Sequence, residues 1–261
     1  MPLNNKSLES ILDEAKEHEK RYEWTQAVKV YEKASLIVQK NNDYTKIVEI
    51  LEKIGFCYFR AALQAQNNEE NIDRIKYAIK SYQEAVELVD RVDFPQKRIR
   101  INQNKAWIKF LNSWLETDVF KKKSLLDEWW KLEKETLKIF NEQRLTQDLA
   151  RECGKILELG AATRFFFPAE AADLKKITEE NIQLGEQAIE LLSGQKEDFE
   201  IAKLYCWTSW FYGFSVLYQL NENKREEYGE RSSDYSTKAL RLSKKTGDAW
   251  LIGWSHNAAS L

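Results

Sequence analysis

Glycine and proline are scarce in this chain, with 9 Gly and 3 Pro in 261 residues. A β-rich fold with many tight turns needs both at its turns, so their scarcity disfavours such a fold and leaves room for long helices. Cysteine is scarcer: Cys57, Cys153 and Cys206 are isolated, odd in number and without Cys-x-x-Cys spacing. That argues against a disulfide framework and fits a reducing, cytoplasmic setting better. Only two histidines occur, His18 and His256, one near each end and neither beside a cluster of cysteines or carboxylates. No metal site is expected from them. Glycine-rich phosphate loops are missing as well, so no nucleotide cofactor is implied.

A charge excess of either sign is also lacking, since 40 basic against 42 acidic residues leave a formal −2. No large field attracts a polyanion, and nucleic acid is not an expected partner. The Lys121-Lys122-Lys123 run reads as a solvated helix face. Long apolar runs are absent too. From Leu204 to Leu220 no side chain is charged, but these seventeen residues include Thr208, Ser209, Gly213, Ser215 and Gln219. They fall short of the roughly 20 apolar residues of a membrane span, and a helix covered on several sides is expected instead. The N-terminus has no apolar signal core.

What is present is a repeat. Ala27-xxx-Tyr31-xx-Ala34 recurs as Ala78-xxx-Tyr82-xx-Ala85, all three positions 51 residues on. Small, aromatic and small residues at spacings of four and three share one helical face, which suits close packing against a neighbouring helix. The phase continues at Ala188 and Ala239, again 51 apart, where the stripes read Asn181, Gly185, Ala188 and Ser232, Ser236, Ala239. Small residues also stand 21 positions after each anchor alanine: Gly55, Ala106, Ser209 and Ser260. Capping and breaker residues divide the chain into eleven helices. Ser7, Asp43, Asp118 and Asp248 start helices, Asn67-Asn68 closes the third at about residue 66, and the fourth starts near Ile72. Pro95 and Pro168 mark the starts of the fifth and eighth. The expected fold is an all-α, right-handed α-solenoid of about five antiparallel helical hairpins plus a C-terminal helix, one repeat domain over residues 1–261. The eleventh helix carries Trp250, Trp254, Ala258 and Leu261 on one face, which suggests either a capping helix or an array that continues past Leu261.

Leu51-xx-Ile54-Gly55-xx-Tyr58 on a first helix, followed by Ala78-xxx-Tyr82-xx-Ala85 on a second, resembles the tetratricopeptide repeat signature. The resemblance is clearest over residues 22–90, with about 11 residues added between Tyr58 and Ala78 relative to that family's unit of about 34. Long hairpins of this kind also resemble the vesicle-fusion adaptors of the SNAP family. The tetratricopeptide resemblance implies a concave groove lined by the first helices of successive hairpins, receiving a peptide or helix. Carried over from Gly55, it turns Glu49, Glu52, Phe56, Phe59 and Arg60 toward the groove. From Ala106 it selects Arg100, Gln103, Trp107 and Phe110, and from Ser209 it selects Lys203, Cys206, Trp210 and Phe214. Each of the large aromatics has an equally good reading as interhelical core. Glu52 and Phe56 stand where the family's clamp for a terminal carboxylate needs cationic and amide groups, so no such clamp is expected.

The function expected from these features is a non-catalytic scaffold that binds a protein segment, with no cofactor. Two alternatives stand beside it. One is a small-molecule sensor or enzyme with an aromatic pocket around Trp207 and Trp210. The other is self-association through Trp250, Trp254 and Leu261 on the last helix.

Overall fold

The computed structural model describes residues 7–164 and 171–260. Among these residues the chain is all-α, with eleven helices of which the first five and the last five form solenoid-like stacks, each helix packed on the next in sequence. They are α1 (Leu8–Lys20), α2 (Trp24–Lys40), α3 (Tyr44–Ala62), α4 (Asn68–Arg91), α5 (Lys97–Leu115), α6 (Val119–Glu142), α7 (Thr146–Arg164), α8 (Ala171–Leu192), α9 (Asp198–Tyr218), α10 (Glu222–Thr246) and α11 (Ala249–Ala258). Contacts divide them into two compact units, Met1–Thr136 and Leu137–Leu261, with the division inside α6. No helix among the described residues is long and apolar enough to cross a membrane. Pro168 and Leu261 lie outside the described residues.

Local capping explains most of the boundaries. Side chains of Ser7, Asp43, Asp118 and Asp248 each accept a hydrogen bond from the backbone N–H three residues on, at 2.7–3.2 Å. Each satisfies a donor that the first helical turn leaves unpaired. The α3–α4 boundary corrects the sequence expectation. α3 ends at Ala62, and Asn67 starts α4 by accepting from Glu70 N–H at 2.9 Å. Glu69 and Glu70 then stand in the first turn of α4, where carboxylates favour the positive end of the helix dipole. At the other end of α1, Tyr22 takes a left-handed φ of 58°. Its N–H donates to Glu19 and that of Glu23 donates to His18, both at 2.9 Å, which closes the helix and turns the chain into α2.

The repeated stripe is buried throughout. Ala27, Ala34, Ala78, Ala85, Ala188 and Ala239 have no exposed surface, and Tyr31 and Tyr82 are equally interior. Asn181, Gly185, Ser232 and Ser236, the drifted positions, are buried too. Of the small residues 21 positions on, Gly55, Ala106 and Ser209 are buried and Ser260 is exposed. The reason for a glycine at position 55 is direct: a Cβ there would stand 2.8 Å from Tyr82 Cε2 and 2.9 Å from Cζ. Tyr82 has little freedom to yield, because its ring also lies parallel to Trp107 of α5, 5.5 Å between centroids and 4° between planes. In the second unit the small and large partners exchange helices. Gly185 of α8 lies under Thr208 of α9, whose Oγ1 would be 2.1 Å from an added Cβ.

Odd-numbered helices also meet one another within each unit. In the first, Glu19 of α1 faces Lys53 of α3 at 3.6 Å, and Phe56 of α3 meets Trp107 of α5 with centroids 6.3 Å apart. In the second, α9 touches α7, α8, α10 and α11, so it is enclosed on several sides as its uncharged sequence requires.

Gly55→Ala is expected to lower stability by about 1–3 kcal/mol through overpacking. Gly229→Ala, where an added Cβ meets nothing within 4 Å in α10, is expected to raise it by about 0.5–1 kcal/mol through helix propensity. Chemical denaturation followed by circular dichroism measures both, and equal signs for the two substitutions would contradict the Gly55–Tyr82 contact.

Candidate partner-binding face

In the first unit, α3 and α5 bring Glu52 and Arg100 together across 48 positions of sequence. Arg100 Nη1 donates to Glu52 Oε2 at 2.6 Å, and Asn104 Nδ2 donates to Glu52 Oε1 at 2.7 Å. Both carboxylate oxygens are therefore engaged, and a charge-assisted pair with a second donor is among the stronger polar contacts a protein makes. Next to this pair stand Phe56 and Trp107, each half-buried. Phe56 meets the edge of Trp24 at 5.9 Å as well as Trp107, and Arg60 lies over both Trp24 and Phe56, at 5.2 and 5.9 Å from their centroids. Only 8% of Arg60 is exposed, so its charge is held by aromatic faces in a largely dry setting.

The other residues selected on the groove side divide in two. Phe59 and Phe110 are interior, 4% and 0% exposed, and pack with Trp107 and Trp114 as the floor beneath the face. Glu49 and Gln103 stay half-exposed at its surface, and Glu49 pairs with Lys46 at 2.7 Å. The register from Gly55 and Ala106 thus brings Glu52, Phe56, Arg100 and Trp107 to one place. It misses Trp24, Asn104 and Tyr82, the residues that hold them. Asn104 had a signal, since it follows Arg100 by one helical turn; Trp24 had none.

Charges on this layer are matched internally. Lys53 faces Glu19, Lys46 pairs with Glu49, and Arg100 pairs with Glu52. Glu19 also accepts a hydrogen bond from Tyr31 Oη at 2.6 Å. The Tyr31 phenol is pushed above its ordinary range, first by burial and then by that bond to a carboxylate.

The second unit presents a different arrangement. Trp207 is buried, and Trp210, Trp250 and Trp254 surround it with centroids 6.4, 6.0 and 5.1 Å away. Phe214 continues the cluster 5.5 Å from Trp210, and Trp210, Trp250, Trp254 and Phe214 are half-buried. Three rings thus pack directly on Trp207. Cys206 is fully buried beside them, and Lys203 lies against Glu200 and Glu158 at 3.4 and 3.9 Å. Leu261, expected with Trp250 and Trp254 on the last helix, is outside the described residues.

No protein-family model matches the chain. No curated protein matches it either. Among solved structures, one from work on the computational design of self-assembling cyclic protein homo-oligomers aligns at 13% identity and a TM-score of 0.25, over 94% of this chain and 89% of that one. Similarity at that level bears on neither fold nor function.

Burial holds the thiols in their neutral form. Cys153 and Cys206 are pushed up to about 12, chiefly by desolvation, and Cys57 is raised further by burial and by the Glu19 carboxylate. A folded-state value above the unfolded one means that these thiols contribute stability in full below about pH 9, which is lost as pH rises toward 12. Ellman's reagent at pH 8 is expected to leave the native protein essentially unlabelled and to find all three thiols in guanidinium. Rapid labelling of any of the three in the native protein would show that the packing around it, in α3 for Cys57, α7 for Cys153 or α9 for Cys206, is open.

Proposed function

We propose that the chain is a non-catalytic, tetratricopeptide-like scaffold that binds a protein segment along the layer formed by α1, α3 and α5. The observation that carries this reading is the combination at Phe56 and Trp107. Two large rings remain half-buried beside an internally neutralised Glu52–Arg100–Asn104 set, supported from below by fully packed aromatics. Aromatic side chains on rigid supports are the usual carriers of interface energy, since they bury much area at little conformational cost. A partner suited to this face presents apolar anchors, as an amphipathic helix or an extended peptide does. Arg100 already serves Glu52, which argues against capture of a free terminal carboxylate there.

The alternative of an aromatic small-molecule pocket at Trp207 and Trp210 has less support, because both indoles already pack on rings of the same chain. Self-association through Trp250 and Trp254 draws support from their remaining exposure, but both already have intrachain partners.

The test is affinity capture from native lysate at physiological salt with three baits: wild type, Phe56→Ala, and Lys80→Glu on the exposed side of α4. At least one protein is expected to be retained by wild type and by Lys80→Glu and lost with Phe56→Ala. Recovery of the bait alone, or the same set on all three, would count against the proposal.

A further inference from the structure

We infer that the uncharged aromatic face of α9 and α11 is a separate docking site, for an uncharged proline-rich segment of a partner protein. Trp210, Phe214 and Leu217 fall at i, i+4 and i+7 of α9, which puts them on one side of the helix. Exposure rises along that side. Trp207 beneath it is 3% exposed, Trp210 and Phe214 are half-buried, and Leu217 is 72% exposed. Trp254 of α11 widens the face, with its ring centroid 5.7 Å from that of Trp210. No Asp, Glu, Lys or Arg occurs between Leu204 and Leu220 or within α11. His256 stands two positions beyond Trp254, which places it on the opposite side of α11.

Hydrogen bonding supplies a second, independent observation. Nε1 of Trp207 and Nε1 of Trp210 are shielded from solvent, yet neither has an acceptor among the described residues. The buried indole of Trp129 shows the ordinary arrangement, donating to Glu133 at 2.9 Å. A shielded donor without a partner costs about 1–3 kcal/mol. Here there are two, on rings whose centroids are 6.4 Å apart. Trp254 packs on both and is half-buried, so a shift of this one ring lets an occupant of the face bring a carbonyl to them.

The two observations together identify the occupant. The face offers rings and donors and carries no charge, so it suits a ligand with free acceptors, apolar surface and no charge of its own. A proline-rich segment in the polyproline II conformation has these properties. Its carbonyls make no internal hydrogen bonds, proline has no N–H, and such segments dock on aromatic-lined surfaces. An α-helix lacks them, because its carbonyls are bonded within it. The strip from Trp210 to Leu217 is about 10 Å long at the rise of an α-helix, which roughly three to four residues of polyproline II span. The face lies within the second unit and shares no residue with the Phe56–Trp107 face, so the two readings fail independently.

Titration of the full chain with acetylated and amidated decaproline, followed by calorimetry and tryptophan fluorescence, tests this against a glycine–serine peptide of the same length. Decaproline is expected to bind saturably and the glycine–serine peptide not to bind. Trp210→Phe, which keeps a ring and removes the N–H, is expected to weaken binding about five-fold. Leu217→Asp, at an exposed position, is expected to weaken it about three-fold, and Phe56→Ala to leave it unchanged. Circular dichroism verifies that the variants fold. Absence of decaproline binding, or binding unchanged in both Trp210→Phe and Leu217→Asp, would overturn the inference. If decaproline fails to bind while Leu217→Asp abolishes adsorption to phosphatidylcholine vesicles or self-association, the face belongs to lipid or to a second copy, and the inference falls.

Discussion

The position of the Tyr82 ring is the constraint on which the first unit depends. It lies so close to Gly55 that no side chain fits there, and it lies parallel to Trp107. One residue of a second helix therefore sets the spacing of two first helices, α3 and α5. That spacing is what allows Arg100 and Asn104 to reach both oxygens of Glu52. In the second unit the same problem has the reverse solution, with glycine on α8 and a branched residue, Thr208, on α9. A close contact between one small and one larger residue is conserved in form while the residue types exchange places.

Carboxylates supply a second kind of tie between hairpins. Glu19 accepts from Tyr31 and faces Lys53, which joins α1, α2 and α3. Glu186 accepts from Tyr212 Oη at 2.7 Å and from Tyr235 Oη at 2.8 Å, which joins α8, α9 and α10. The phenols of Tyr212 and Tyr235 are raised above their ordinary range, first by burial and then by the bond to Glu186. Hydrogen bonds to a charged acceptor contribute more than neutral ones, about 1.5–3 kcal/mol each, and leaving either partner buried alone costs a similar amount. These ties use up charge that a more polar binding surface would offer to a ligand. What remains available on the first-helix layer is aromatic.

Much of this was legible in the sequence, for identifiable reasons. Periodicity works for α2 and α4 because alanine and tyrosine at spacings of four and three cannot both be exposed and serve a function at that density. Caps such as Ser7, Asp43 and Asp118 are legible because the bond they make spans three residues. The α3–α4 boundary was read wrongly because asparagine stops one helix and starts another with the same side chain, and Asn67 does the second. On the candidate face, register found Glu52 and Arg100 but could not separate Phe56 from Phe59. The two sit less than one helical turn apart, and an apolar residue suits either the floor or the surface of a groove. The role of Trp24 depends on pairings with Phe56 and Arg60 of another helix, to which a single helix's pattern is blind.

Amide hydrogen exchange of Tyr82→Ala tests the central constraint most directly. Protection is expected to fall in α3 and α5 together with α4, while α8, α9 and α10 of the second unit keep theirs. A loss confined to α4, with α3 and α5 as protected as in the wild type, would contradict it.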